Sequence, residues 1–184
     1  TVAYIYCVGS RQPAGGNEYC SKFCCTAACH TSVELSKLDP SIHQYHLNRD
    51  VRTYGKYELI YTRAREDGAV FMRYPDDTPP TVELTDSGLT VTTIDALTQN
   101  EELTLPVDLV VLVTGMVPRA NDGLTGLLKL PVGDDGFYNE IHPKLRPVET
   151  VVDGVFICGT CQSPKSSAES VTSSRCTRTT ILST

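Results

Sequence analysis

The sequence predicts an α/β fold built on a parallel sheet, and three observations predict it. Apolar strand-like runs alternate with helix-like segments through the first 74 residues, and a β-α-β-α-β order calls for a parallel sheet covered by helices. Two short alternating stretches then flank a cluster of turn formers, the pattern of a hairpin. The most strongly apolar strand-like run, Val107 to Val113, comes only after that hairpin.

Val2 to Cys7 is a short apolar run and reads as a buried strand. Val8 to Asn17 is rich in glycine and other turn formers and reads as a loop. A helix is expected from Cys20 or Ser21 to about Leu38, where Asp39-Pro40 stops it. Ile42 to Leu47 alternates like a strand, Gly55 to Asp67 fits a helix closed by Gly68, and Ala69 to Tyr74 fits another strand. Together these make a Rossmann-like three-layer unit. Thr81 to Thr85 and Leu89 to Ile94 form the expected hairpin around Asp86-Ser87-Gly88, and Glu102 to Leu105 completes a small β-meander. Val107 to Val113 is expected to be deeply buried. A weak helix over Asn121 to Lys129, a last strand over Gly154 to Cys158 and a helix over Ser166 to Leu182 follow.

The 184 residues suffice for one or two domains, and 40% are hydrophobic. The formal net charge is -6 with Lys and Arg scattered, which argues against a nucleic-acid reader or a polybasic membrane contact. No apolar run approaches the roughly 18 residues of a membrane span, and no secretory signal is visible. The expected location is cytoplasmic, with membrane association only through a larger complex. The chain starts at Thr1 and enters a strand at once, so it is expected to be cut from a longer protein.

Five of the eight cysteines, Cys7, Cys20, Cys24, Cys25 and Cys29, lie within 23 residues. Such crowding beside an apolar strand favours metal or redox chemistry over stapled loops. Cys7 ends the first strand, and Cys20, Cys24 and Cys25 are expected on the first turns of the next helix, with Cys20 and Cys24 on one face. Ligands of doubly wound sheets sit there, beyond strand carboxyl ends, and helix-start N–H groups favour anionic thiolates. From spacing alone the quartet fits an iron–sulfur cluster, a zinc ion, buried free cysteines or an internal disulfide. Cys29 reads as a core residue. A nicotinamide site would show Gly-x-Gly-x-x-Gly after the first strand. Cys7-Val8-Gly9-Ser10-Arg11 stands there instead, so NAD(P) binding is not expected.

Several segments carry a resemblance. Val2 to Arg11 followed by Tyr19 to Cys25, then Ala64 to Gly68, Leu109 to Arg119, His142 to Val148 and Gly154 to Lys165, are similar to the iron–sulfur A-subunit of heterodisulfide reductases. The A-subunit of quinone-interacting membrane-bound oxidoreductases shares the pattern. The resemblance implies that Cys7, Cys20, Cys24 and Cys25 ligate a [4Fe–4S] cluster. It implies FAD in the full-length protein, with Thr114, Gly115, Gly159, Thr160, Cys161, Gln162 and Lys165 at its site. His30 falls where the family carries a lysine near the flavin, although a plain surface or capping residue reads equally well. Val107 to Pro118 and Gly154 to Gly159 resemble parts of two-dinucleotide-binding flavoproteins. In the latter motif Thr160 stands where an acid is usual, and a buried strand followed by a glycine turn is the plainer reading.

The resemblance thus divides the chain into a Rossmann-like cluster-binding unit, residues 1–104, and the carboxyl-terminal portion of an FAD domain, residues 105–184. It implies electron relay between FAD and [4Fe–4S] clusters, in reduction of the heterodisulfide of coenzymes M and B or a related disulfide- or quinone-linked transfer. Partners would be the other subunits of such a complex and the remainder of the chain's own parent protein. The isolated fragment would be inactive, and no catalytic residue is assigned. Two rivals remain. One is a pyridine-nucleotide disulfide oxidoreductase using the Cys158-x-x-Cys161 dithiol, against which stand the missing nucleotide loop and the expectation that Cys158 lies on a buried strand. The other is a zinc-stabilised interaction module.

Overall fold

A computed structural model of the chain describes every residue except Ser87 and Thr184, and Ser183 by its backbone. It forms two compact units. The first comprises Thr1–Arg11 and Lys22–Gly115, the second Gln12–Ser21 and Met116–Thr184.

In the first unit, strands β1 (Val2–Val8), β2 (Gln44–Asn48), β3 (Val70–Arg73) and β7 (Leu109–Thr114) form a parallel sheet in the order β3-β2-β1-β7. β1 is central and buried from Val2 to Cys7. Side chains alternate across a strand, and β1 uses both faces. Val2, Tyr4 and Tyr6 pack toward helix α1 (Cys24–Leu38), with Cys24, Cys25, Ala28 and Val113. Ala3 and Ile5 pack on the other side with Leu47, Tyr74, Val91 and Val107. Val91 and Val107 belong to an antiparallel meander of β4 (Thr81–Thr85), β5 (Gly88–Asp95) and β6 (Glu101–Val107). The α/β class, the parallel sheet and the small meander are those the sequence predicts, and the meander covers the sheet face opposite α1. Of the predicted hairpin turn, Ser87 lies outside the described residues. Helix α2 (Glu58–Glu66) packs on α1 through Ala64 and Val33. It ends at Gly68, whose φ of 94° is natural for glycine. Gly68 N–H to the Arg65 carbonyl and Ala69 N–H to the Ala64 carbonyl close a Schellman ending.

Four details differ from the sequence-based expectations. α1 starts at Cys24, because Lys22 adopts a left-handed φ of 62° that a helix cannot continue through. Gly55–Tyr57 is a 3-10 turn that precedes α2. β7 is an edge strand on the first unit's sheet: among the described residues it pairs with β1 alone, only its Val113 is buried, and Leu109 and Leu112 are 53% and 55% exposed. Its apolar run therefore does not mark a buried central strand. Gly154 to Cys158 forms no strand, since only Phe156 makes an isolated bridge, to Glu149.

The second unit holds α3 (Asp122–Leu128), a 3-10 turn at Gly159–Cys161, and α4 (Ser167–Ser183), with a small core of Leu130, Tyr138 and Ile157. Ser166 and Glu169 make a capping box at the start of α4. Ser166 N–H donates to the Glu169 carboxylate at 2.8 Å, and Glu169 N–H donates to Ser166 Oγ at 3.2 Å. Among the described residues no helix is long and apolar enough to cross a membrane.

Candidate metal centre

The site begins where β1 ends. By strand alternation Cys7 should face the meander with Ala3 and Ile5. Its φ is 62°, however, and the register against β7 shifts between Ile5 and Val8. The strand bulges there, and Cys7 joins the cluster of Tyr4, Tyr6, Cys24 and Cys25 on the α1 side. A left-handed backbone is uncommon outside glycine and marks a place where the fold overrides local preference. Cys24 and Cys25 are the first two residues of α1 and are buried, at 9% and 3% exposure. The structure therefore brings Cys7, Cys24 and Cys25 into one buried patch. Cys20 belongs to the second unit and is not helical, so it cannot share a helix face with Cys24 as its spacing implies.

Within this patch the Cys25 thiol is held protonated. A hydrogen bond with Cys24 pushes the Cys25 thiol up, burial adds to this, and the Arg52 backbone N–H acts in the opposite direction. Unaided ionisation is thus disfavoured, and ligating a metal would expel protons. The first turn of α1 carries no acidic side chain, and its N-cap residue Phe23 makes no side-chain cap. The leading N–H groups of a helix have no intrahelical acceptor and stabilise negative charge. Thr26 Oγ1, on the same turn, is buried with no hydrogen-bond partner among the described residues. Soft sulfur donors, helix-start N–H groups and an orphaned hydroxyl fit an anionic iron–sulfur group. Among the described residues, no three His, Cys, Asp or Glu side chains form a group that could hold a metal ion as they stand.

Cys29, one turn beyond Cys25, is wholly buried, as the core role predicted for it requires. Its sulfur lies 3.8 Å from the Tyr6 hydroxyl, which lies 2.8 Å from His46 Nδ1. His46 Nε2 lies 3.0 Å from Ser32 Oγ. The imidazole is stacked between Tyr4 and Phe71, with centroids 4.3 Å and 4.4 Å away. Burial pushes His46 down to about 3, so it is neutral at ordinary pH. Sequence reasoning missed this network. Its only trace was the shared alternation of Tyr4 and Tyr6 with Gln44 and His46 on the neighbouring strand, where Tyr4 donates to Gln44 Oε1 at 3.0 Å.

Of the residues predicted at a flavin, Thr114 is the exposed end of β7, and Gly115 N–H donates to the Val8 carbonyl at 2.8 Å. His30 is exposed on α1, the placement its plain surface reading expects, and it contributes to lowering Glu34 one turn on, behind the larger effect of Lys37. In the second unit Gly159 opens the 3-10 turn with a φ of 73°. Thr160 and Cys161 line a groove of about 650 Å3 together with Pro118, Phe137 and Tyr138. Gln162 and Lys165 line a separate groove of about 740 Å3. Lys165 Nζ donates to Gln162 Oε1, and Gln162 Nε2 donates to Glu140 at 2.7 Å and to the Pro147 carbonyl at 2.8 Å. The capping box engages the N–H groups of Ser166 and Glu169 at the start of α4. Cys158 is exposed, not buried on a strand as expected, because Gly154 to Cys158 is irregular; Cys161, also exposed, donates from Sγ to the Cys158 carbonyl at 3.1 Å.

No family model matches the chain. Among known proteins it is 38% identical over 172 residues to the A-subunit of the ferredoxin:CoB-CoM heterodisulfide reductase of Methanosarcina acetivorans, covering 92% of this chain and 21% of that protein. It is 38% identical over 177 residues to the iron–sulfur A-subunit of the CoB–CoM heterodisulfide reductase of Methanocaldococcus jannaschii, covering 92% and 26%. A third such protein, from Methanopyrus kandleri, is 39% identical over 174 residues, again covering 92% and 26%. The chain therefore spans about a quarter of the length of these curated relatives. Among solved structures, the Cu(II) complex of the HOCl-induced flavoprotein disulfide reductase RclA from Escherichia coli aligns with a TM-score of 0.58 at 12% identity, over 98% of this chain and 35% of that one. That likeness speaks for the fold.

Proposed function

From its homology over 92% of its length to the A-subunit of heterodisulfide reductases, we propose that this chain is the cluster-holding part of a flavin- and iron–sulfur-dependent oxidoreductase subunit. The observation that carries the reading is the buried patch of Cys7, Cys24 and Cys25 at the meeting of β1 and α1. Cys20 is proposed as the fourth ligand from its place in the sequence motif. When bound, a [4Fe–4S] cluster supplies reversible one-electron storage. The chain's own residues present thiolates, supply N–H donors from the start of α1 and the Arg52 backbone, and exclude water through Ala28 and Val113. Arg11 pairs with Asp50, and Arg49 approaches Asp76 at 3.5 Å. These pairs tie together the loops that follow β1, β2 and β3.

By the same resemblance, residues 1–104 act as the cluster unit and residues 105–184 as part of an FAD domain. Thr114, Gly115, Gly159, Thr160, Cys161, Gln162 and Lys165, with His30, are proposed to contribute to the flavin site of the full-length protein. The whole protein would relay electrons between FAD and [4Fe–4S] clusters toward the CoM-S-S-CoB heterodisulfide or a related disulfide- or quinone-linked acceptor. It would do so together with the other subunits of a cytoplasmic complex. Anaerobic reconstitution of the chain tests the reading. About four irons and four sulfides per chain, as one cubane requires, with broad absorbance bleached by dithionite, support it. One zinc without sulfide overturns it in favour of a structural module.

The exposure of Cys158 and Cys161 favours a second reading, a working dithiol, since a reactive thiol must be reachable. Retention of all electron transfer by the full-length protein carrying Cys158→Ser and Cys161→Ser together excludes it.

A further inference from the structure

The buried chain Ser32, His46, Tyr6 and Cys29 has no place in the proposed chemistry, yet it joins the two elements that carry the cysteines. Tyr6 immediately precedes Cys7 on β1. Cys29 and Ser32 lie on α1, four residues after Cys25 and eight after Cys24. His46 stands between them on β2, fixed by ring stacking on both sides and by a partner at each nitrogen. All four residues are at most 1% exposed.

We infer that Tyr6 and His46 are positioning residues for the cysteine site: their hydrogen-bonded chain clamps the first half of α1 against the bulged end of β1, and so sets the separation of Cys7 from Cys24 and Cys25. The inference rests on the reading of those three cysteines as ligands. Three features of the geometry support it. The bulge at Cys7 releases that residue from the sheet's regular register, so the strand end needs another anchor. Tyr6 supplies one through its side chain, and Tyr74 supplies a second by donating from its hydroxyl to the Tyr6 carbonyl at 2.8 Å. The chain is also directional. A neutral imidazole has one donor and one acceptor nitrogen, so its protons run either from Ser32 toward Cys29 or from Cys29 toward Ser32. Either way one end of a fixed row of dipoles lies at Cys29, one helical turn from Cys25, and hydrogen bonding around cluster sulfurs is one determinant of cluster potential.

The same strand contains an internal control. Tyr4 lies on the same face, is equally buried, and makes an equivalent buried hydrogen bond, to Gln44. Each Tyr→Phe change deletes one buried hydroxyl and keeps its ring, and the melting temperature of cluster-free protein shows what each costs the fold. The test compares the reconstituted chain with Tyr6→Phe, Tyr4→Phe and His46→Phe, the last keeping an aromatic ring in the stack. The measurements are iron per chain, the rate of iron loss to a chelator, the electron paramagnetic resonance of the reduced form, and the melting temperature of cluster-free protein. Tyr6→Phe and His46→Phe should lose iron about tenfold faster, the lower end of what removing a supporting partner costs a metal site, with a shifted or broadened resonance. Tyr4→Phe should match the unmodified chain in both. Matching spectra and loss rates for Tyr6→Phe and Tyr4→Phe overturn the inference and leave the cluster assignment standing. An unmodified chain that takes up neither iron nor sulfide overturns both together.

Discussion

In the first unit Cys7, Cys24, Cys25 and Cys29 are buried where a strand end meets a helix start, whereas in the second Cys158, Cys161 and Cys176 are all exposed. The residue type is the same and the environments are opposite. Around the first set, burial and neighbouring thiols push Cys25 and Cys29 up, the latter to about 11. Such thiols stay protonated and quiet until a metal displaces the proton. The second set lies on an irregular turn and on the outer part of α4, open to solvent. Proximity in sequence does not separate the two groups, since Cys158-x-x-Cys161 is as tight a pair as Cys20 and Cys24. What separates them is whether a sheet and a helix close over the sulfurs.

The largest expected effect tests that contrast directly. Single Ser variants of Cys7, Cys20, Cys24 and Cys25 should fall from about four irons per chain to near none, because a cubane needs all four thiolates. Cys29→Ser and Cys176→Ala should keep theirs. Iron and sulfide assays on reconstituted protein decide this. An empty Cys29→Ser beside a full Cys7→Ser would move the ligands onto the helix and undo the contrast.

Thiol labelling of cluster-free protein should show the next largest difference. At pH 8, a thiol pushed up to about 11 is about one-thousandth thiolate. Cys158, Cys161 and Cys176 are open to solvent whereas Cys29 is wholly buried, so they should react at least about a hundredfold faster than Cys29. Mass spectrometry of quenched time points gives the order, and early labelling of Cys29 would show that its burial is not maintained in solution.

The buried imidazole makes the first unit sensitive to pH. His46 is held neutral in the folded chain, with its pKa pushed down by burial to about 3 from 6.5. As pH falls below about 6.5 the unfolded chain takes up a proton that the folded chain refuses. This contribution to stability is therefore complete above about pH 6.5 and is lost progressively toward pH 3. At about 1.4 kcal/mol per unit, moving from pH 7.5 to pH 5 should cost about 2 kcal/mol. Urea midpoints at the two pH values measure it. His46→Phe should shrink the difference by that amount, and an unchanged difference would place the dependence elsewhere.

The smallest effect belongs to the second unit. Ser166→Ala removes half of the capping box and should destabilise α4 by about 1 kcal/mol. Faster amide exchange in its first turn would report the change, with iron content unaffected.

Much of the architecture was legible in the sequence, because its signals are local. Alternation in Thr81 to Thr85 and Leu89 to Ile94 marks the meander, Gly68 marks the end of α2, and crowding among Cys7, Cys20, Cys24 and Cys25 marks the candidate site. The tertiary structure decided what depends on distant partners. The apolar run ending at Val113 became an edge strand, since burial is set by what covers a strand and not by its own side chains. Gly154 to Cys158 lacked a neighbouring strand to pair with and stayed irregular, which exposed Cys158. α1 began at Cys24 and Cys7 turned to the helix side, because Lys22 and Cys7 adopt left-handed backbones that no local propensity of lysine or cysteine favours. His46 meets Tyr6 only because β2 pairs in register beside β1. A parallel pairing joins residues 40 apart, and no pattern within either strand encodes it.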